Sequence, residues 1–180
     1  GAKREAEEQA DTSQVDGFTL SRVREMSLED ELSSQEQRKI VEDRLQPLNL
    51  GDLILHGRIQ QRVPIHPGIF EPTFQSLSAS DELKLRELIT QEARTVDLPE
   101  QYLKDRYSVM GVTAGLVKIN DAVFPSHVDS NGAFDAAAFW QKFNKVSQYP
   151  WHLIASLAVN FFWFEIRVRK LFVAARLKNG

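Results

Sequence analysis

The chain has 180 residues, 42% apolar and 26% charged, the composition of a globular protein rather than of a disordered one. It contains no cysteine, which excludes disulfides and thiolate metal sites and favours a reducing compartment. The net charge of −3 is unevenly spread: residues 1–50 hold 7 Lys/Arg against 12 Asp/Glu, whereas residues 51–180 hold 15 against 13.

The first residues, Gly1-Ala-Lys-Arg-Glu5, are charged and lead into no apolar run, so no signal peptide is expected. Residues 1–17 are rich in Glu, Gln, Asp and Ser, with Val15 as their one bulky apolar residue, too little to offset the entropy of ordering. From Phe18 to Leu45 the apolar positions Leu20, Val23, Leu28, Leu32, Ile40 and Val41 fit short helices, one starting at Ser27 and one at the capping-box-like Ser34-Gln-Glu-Gln. Pro47 and Gly51 end them. Residues 1–50 thus read as an acidic docking arm, with 51–180 as the folded body.

Residues 53–65 alternate. Leu53, Leu55, Ile59, Val63 and Ile65 occupy the apolar parity, while His56, Arg58, Gln60, Arg62 and His66 occupy the polar one. Pro67-Gly68 supplies a type II turn, and Ile69 to Ser76 is the returning strand, giving a hairpin over 53–76. Pro72 within the return predicts an edge strand. A two-stranded ribbon is marginal alone and must pack on helices or join another sheet.

Helices follow over about 79–95, 98–118, 134–147 and 150–177. Ser78-Ala-Ser-Asp81 opens the first, Asp97-Leu-Pro-Glu100 is a capping box for the second, and Ile119-Asn-Asp-Ala-Val123 reads as a tight turn between short extended pieces. In the last helix Ile154, Leu157, Phe161, Phe164, Val168, Leu171 and Ala175 recur at spacings of three and four, a coiled-coil-like seam. A second apolar stripe, Trp151, Ala155, Ala158, Phe162 and Ile166, lies on another face. Such a helix is either sandwiched within one domain or shared between subunits. The run from Trp151 to Phe164 is too short for a membrane span and contains His152 and Asn160. The fold class expected is α+β, mainly α: a helical bundle with one antiparallel β-hairpin and an N-terminal helical or extended arm.

Chemistry is hard to find. His56, His66, His127 and His152 form no metal-ligand spacing and read as surface residues. Asp30-Glu31, Glu42-Asp43 and Asp81-Glu82 are paired acids explained by helix dipoles or solvated faces. No phosphate loop or nucleophile elbow is present. The cations Arg167, Arg169, Lys170, Arg176 and Lys178 suit a helix C-terminus better than a nucleic acid. No catalytic, cofactor or metal residue is therefore expected, and no nucleic-acid partner.

The order of elements carries a resemblance. Gly57 to Ser78, with its Pro-Gly turn, is followed by an acidic helix start, Leu98-Pro-Glu-Gln-Tyr-Leu103, Gly115-Leu-Val-Lys-Ile-Asn-Asp-Ala-Val-Phe-Pro125, and two helices joined near Tyr149-Pro150. Over residues 52–175 this is similar to tail-assembly and baseplate-hub chaperones of tailed bacteriophages. The resemblance implies a non-enzymatic assembly or structural protein of a phage tail or baseplate, found in the host cytoplasm or the virion. Its partners would be other tail subunits or further copies of itself. A cellular scaffold or adaptor subunit, or an enzyme subunit whose site a partner completes, are the alternatives. The residues expected to meet a partner are Phe18, Leu20, Val23, Leu28 and Leu32 in the arm, Phe70 and Phe74 in the ribbon, and Phe161, Phe164 and Val168 on the seam.

Overall fold

The computed structural model describes residues 39, 42–49, 51 and 57–178, with side chains through 174. The chain divides into two compact units, Gly1–Arg44 and Leu45–Gly180. In the first, Lys39 and Glu42 are helical, and the Asp43 N–H donates to the Lys39 carbonyl at 3.0 Å. The helix starts expected at Ser27 and Ser34, and the strand positions Leu53 and Leu55, lie outside the described residues.

Among the described residues the second unit runs β1 (Gln60–Arg62), β2 (Pro72–Gln75), α1 (Ala79–Thr95), α2 (Glu100–Gly115), β3 (Leu116–Ile119), β4 (Ala122–Val123), α3 (Ala136–Val146) and α4 (Trp151–Lys178). The strands form one antiparallel sheet in the order β1-β2-β3-β4. The fold is α+β and mainly α.

Pairing of Gln60 with Gln75, Gln61 with Phe74 and Arg62 with Thr73 centres the first hairpin on Pro67-Gly68, where Gly68 takes φ +75°. Ile59 and Val63 are buried while Gln60 and Arg62 are exposed, which is the alternation read from the sequence. Gln61 joins the inner face. Its amide donates to the Gln46 carbonyl at 2.9 Å, and its Oε1 accepts from Arg167 at 2.5 Å.

The sheet corrects three expectations. A second hairpin, β3–β4, completes it, so the described residues hold two hairpins rather than one. The helix expected to reach Lys118 stops at Gly115, and Leu116–Ile119 pairs with β2 instead. In consequence β2 is an interior strand despite Pro72. The proline stands at the first residue of the strand, where its missing N–H is harmless, and its carbonyl still accepts from the Val63 N–H at 2.8 Å. The register then shifts between Thr73 and Phe74, leaving Val117 as the extra residue of a bulge.

The β3–β4 turn is made by Asn120, the only non-glycine among the described residues with positive φ (51°). Its side chain accepts from the Glu71 N–H at 2.9 Å and donates to the Ile69 carbonyl at 2.8 Å, so the second hairpin is tied to the first.

Ser78 and Asp81 form the capping box of α1, and Asp135 caps α3 by accepting from the Ala138 N–H at 3.0 Å. The capping box expected at Asp97 does not form: α2 starts at Glu100 behind Pro99 with no side-chain cap. Leu85 and Leu88 of α1, Val109, Met110 and Ala114 of α2, Phe139 and Phe143 of α3, and Ile154 of α4 make the core between the helices.

Candidate functional site

Two features stand out on this scaffold: a buried polar cluster and the two unlike faces of α4.

The cluster is built around Asp81. As the third residue of α1 it accepts from the Ser78 N–H at 2.9 Å, which fixes its carboxylate at the helix start. Arg58, arriving from the segment before β1, forms an ion pair with the same oxygen and donates to the Ser76 carbonyl at 3.3 Å. The other oxygen lies 3.2 Å from His127 Nε2. An ionised carboxylate can only accept, so Nε2 carries the proton and donates. His127 packs beside the rings of Phe134 and Phe139, with centroids 5.2 and 6.2 Å away, and its Nδ1 has no hydrogen-bond partner among the described residues.

Burial alone would raise the Asp81 carboxyl. The hydrogen bonds from His127, Arg58 and the Ser78 backbone outweigh it and hold the group well below the usual carboxylate range. Lys142 of α3 is 2% exposed. Burial pushes its ammonium down to about 8, nearby Arg58 pushes the same way, and Asp81 opposes them. Beside the cluster, Glu165 of α4 accepts from the Leu77 N–H at 3.0 Å, and burial raises its carboxyl. One knot of charge thus ties together the approach to β1, the β2–α1 turn, the loop before α3, α3 and α4.

Sequence reasoning missed this cluster. His127 is not a surface histidine but has no exposed area, and Asp81 does more than complement a helix dipole. The Ser78–Asp81 capping box was the one local signal. The other partners come from 23, 46 and 61 positions away and leave no local pattern. His66 and His152 are exposed as expected, and His56 lies outside the described residues.

On α4 the seam faces inward. Ile154, Leu157, Phe161, Phe164 and Val168 are buried, and Phe161 and Phe164 pack on Phe74 of β2 at centroid distances of 5.5 and 6.2 Å. The assignment of Phe70, Phe74, Phe161, Phe164 and Val168 to a partner surface is therefore corrected. All five are buried in the chain's own core, because the sheet and α2 cover the seam. Phe18, Leu20, Val23, Leu28 and Leu32 lie outside the described residues.

The second stripe faces out. Phe162 is 62% exposed, Val173 58% and Trp151 45%, and Val159 is also exposed, with half-buried Ala155, Ala158 and Ile166 between them. At 100° per residue this stripe sits about a third of a turn from the seam. The exposed apolar residues thus lie along one side of the helix rather than scattered around it. Elsewhere, Ala122 to Pro125 with Lys145, Gln148 and Tyr149 line an open groove that gathers no acid–base pair.

Among the described residues no group of three or more His, Asp or Glu could hold a metal ion. No helix among them is long and apolar enough to cross a membrane. No protein-family model matches the chain, and no curated protein or solved structure matches it.

Proposed function

We propose that the chain is a non-enzymatic assembly protein of a bacteriophage tail or baseplate that works through protein–protein contacts on the outer face of α4. The observation that carries this reading is the exposed stripe centred on Phe162. Burying aromatic side chains of this kind is the main source of binding energy at protein interfaces. The polar cluster supports a structural rather than a chemical role, because its carboxylate is already taken up by Ser78, Arg58 and His127. The tail or baseplate setting rests on the resemblance of residues 52–175 to phage assembly proteins.

The test is Phe162→Glu in a phage producing the particle. The ring makes little contact with the chain's own core, so the purified variant should melt as the parent does. Assembled tails, counted by electron microscopy, should fall by roughly tenfold or more, as loss of a hot-spot aromatic worth about 2 kcal/mol implies. Normal tail numbers would refute the role.

A further inference from the structure

We infer that the occupant of the outer face of α4 is a second copy of this chain, its α4 running antiparallel to the first about a two-fold axis at Phe162. This deepens the assembly reading above and rests on the same stripe.

The first argument is the spacing. The stripe residues Trp151, Ala155, Ala158, Phe162, Ile166, Arg169 and Val173 are separated by 4, 3, 4, 4, 3 and 4, a series that reads the same from either end. Each half spans 11 residues, close to three helical turns, so the stripe stays on one side of a straight helix for about 33 Å. A two-fold axis at Phe162 therefore sets every stripe residue opposite another: Trp151 faces Val173, Ala155 faces Arg169, Ala158 faces Ile166, and Phe162 meets itself.

The second argument is size and charge. The N-terminal half of the stripe is lined by alanines and the C-terminal half by Ile166 and Arg169. Antiparallel pairing puts small against large at both intermediate levels, whereas a parallel pair would stack alanine on alanine. It would also stack Arg169 on Arg169, a like-charge contact that opposes association. In the antiparallel pair the Arg169 guanidinium, exposed, 3.7 Å from the Glu82 carboxylate and near Glu165, lies one helical turn from Trp151 of the partner subunit. That separation is within reach of a cation–π contact.

The third argument is area. The exposed portions of Trp151, Val159, Phe162 and Val173, with the Arg169 stem, amount to about 400–500 Å² per copy, given 150–250 Å² for a whole aromatic side chain. The pair would bury roughly 900 Å², close to the ~1,000 Å² floor of specific interfaces. The dimer should therefore be reversible and concentration-dependent.

Sedimentation equilibrium of the full chain tests this directly. The expected mass rises with concentration from 20.5 kDa toward twice that value, and Phe162→Glu stays at 20.5 kDa, melting as the parent does when both are dilute enough to be single chains. Because the chain has no cysteine, orientation is read by single replacements. A mixture of Ala155→Cys and Arg169→Cys chains should form the mixed disulfide, and neither variant alone should dimerise covalently. A 20.5 kDa mass at every concentration, or Ala155→Cys pairing with itself as readily as with Arg169→Cys, would overturn the proposal. The two readings fail separately. A monomeric chain whose Phe162→Glu variant still loses tail assembly refutes the second copy and leaves the assembly role standing. A dimer whose Phe162→Glu variant assembles tails normally refutes the assembly role and leaves the pair.

Discussion

Lys142 shows how a single residue can work against the fold that contains it. It sits on α3 with its side chain in the core, facing Arg58 and Asp81, and its ammonium is pushed down from 10.5 to about 8. The unfolded chain therefore binds the proton more tightly, and between about pH 8 and 10.5 it holds more protons than the folded chain. Stability should rise with pH across that window. Below pH 8 both states are charged, and the penalty is complete and constant. The displacement corresponds to roughly 3 kcal/mol. Lys142→Met keeps the volume and removes the charge, so at pH 7 it should stabilise by about 1–3 kcal/mol. The advantage over the parent should fade by about pH 10.5, as followed by urea denaturation at several pH values. Asp81 behaves in the opposite sense at the acid end: its depressed carboxyl contributes stability at neutral pH that is lost on acidification. None of this was visible in the sequence, where Lys142 reads as one lysine among several and its neighbours lie on other elements.

At the level of elements the decisive contact is the crossing of α2 and α4. A Cβ built on Gly115 would come within 2.0 Å of the Phe161 ring, and one on Gly111 would stand 3.7 Å from it. Phe161 is buried and wedged against Phe74, so the ring has nowhere to retreat. Gly115→Ala should cost about 2–3 kcal/mol through overpacking, despite the better helix propensity of alanine. Gly111→Ala should be neutral or slightly stabilising, and thermal melts of the pair separate packing from propensity. The seam itself was legible from its three-four spacing, and the first hairpin from alternation and a Pro-Gly turn, because those periods are local. The interior position of β2 and the end of α2 at Gly115 were not. Both depend on Leu116–Ile119 pairing with a strand more than 40 residues earlier, and Pro72 argued locally for an edge.

For the molecule as a whole, α4 is a strut with a wet side and a dry side. The sequence displayed both stripes but could not say which faced inward, since a coiled-coil-like seam suits a core and an interface equally. The choice was made by the sheet: Phe74 offers aromatic partners to Phe161 and Phe164, so the seam closes inward and the Trp151–Phe162 stripe is left outside.

The length of α4 has a further consequence in time. Among the described side chains Val168 is the last buried one of the helix; the next seam residue, Leu171, is half-buried, and Phe172 beside it is 46% exposed. Opening the helix near Ile154–Phe164 requires dismantling the core, whereas opening it beyond Val168 disturbs little apolar packing. Backbone amides of 154–164 should exchange with deuterium only on global unfolding, and those of 169–174 through local fraying. A second α4 laid along Trp151–Val173 would slow the fraying of that last stretch, and, because it binds only the folded chain, it would also slow the global unfolding that exposes 154–164, both effects growing with protein concentration. Exchange rates followed through a dilution series would therefore report the pairing at both places, and rates at 154–164 and 169–174 that stay constant across the series would show that the chain does not pair.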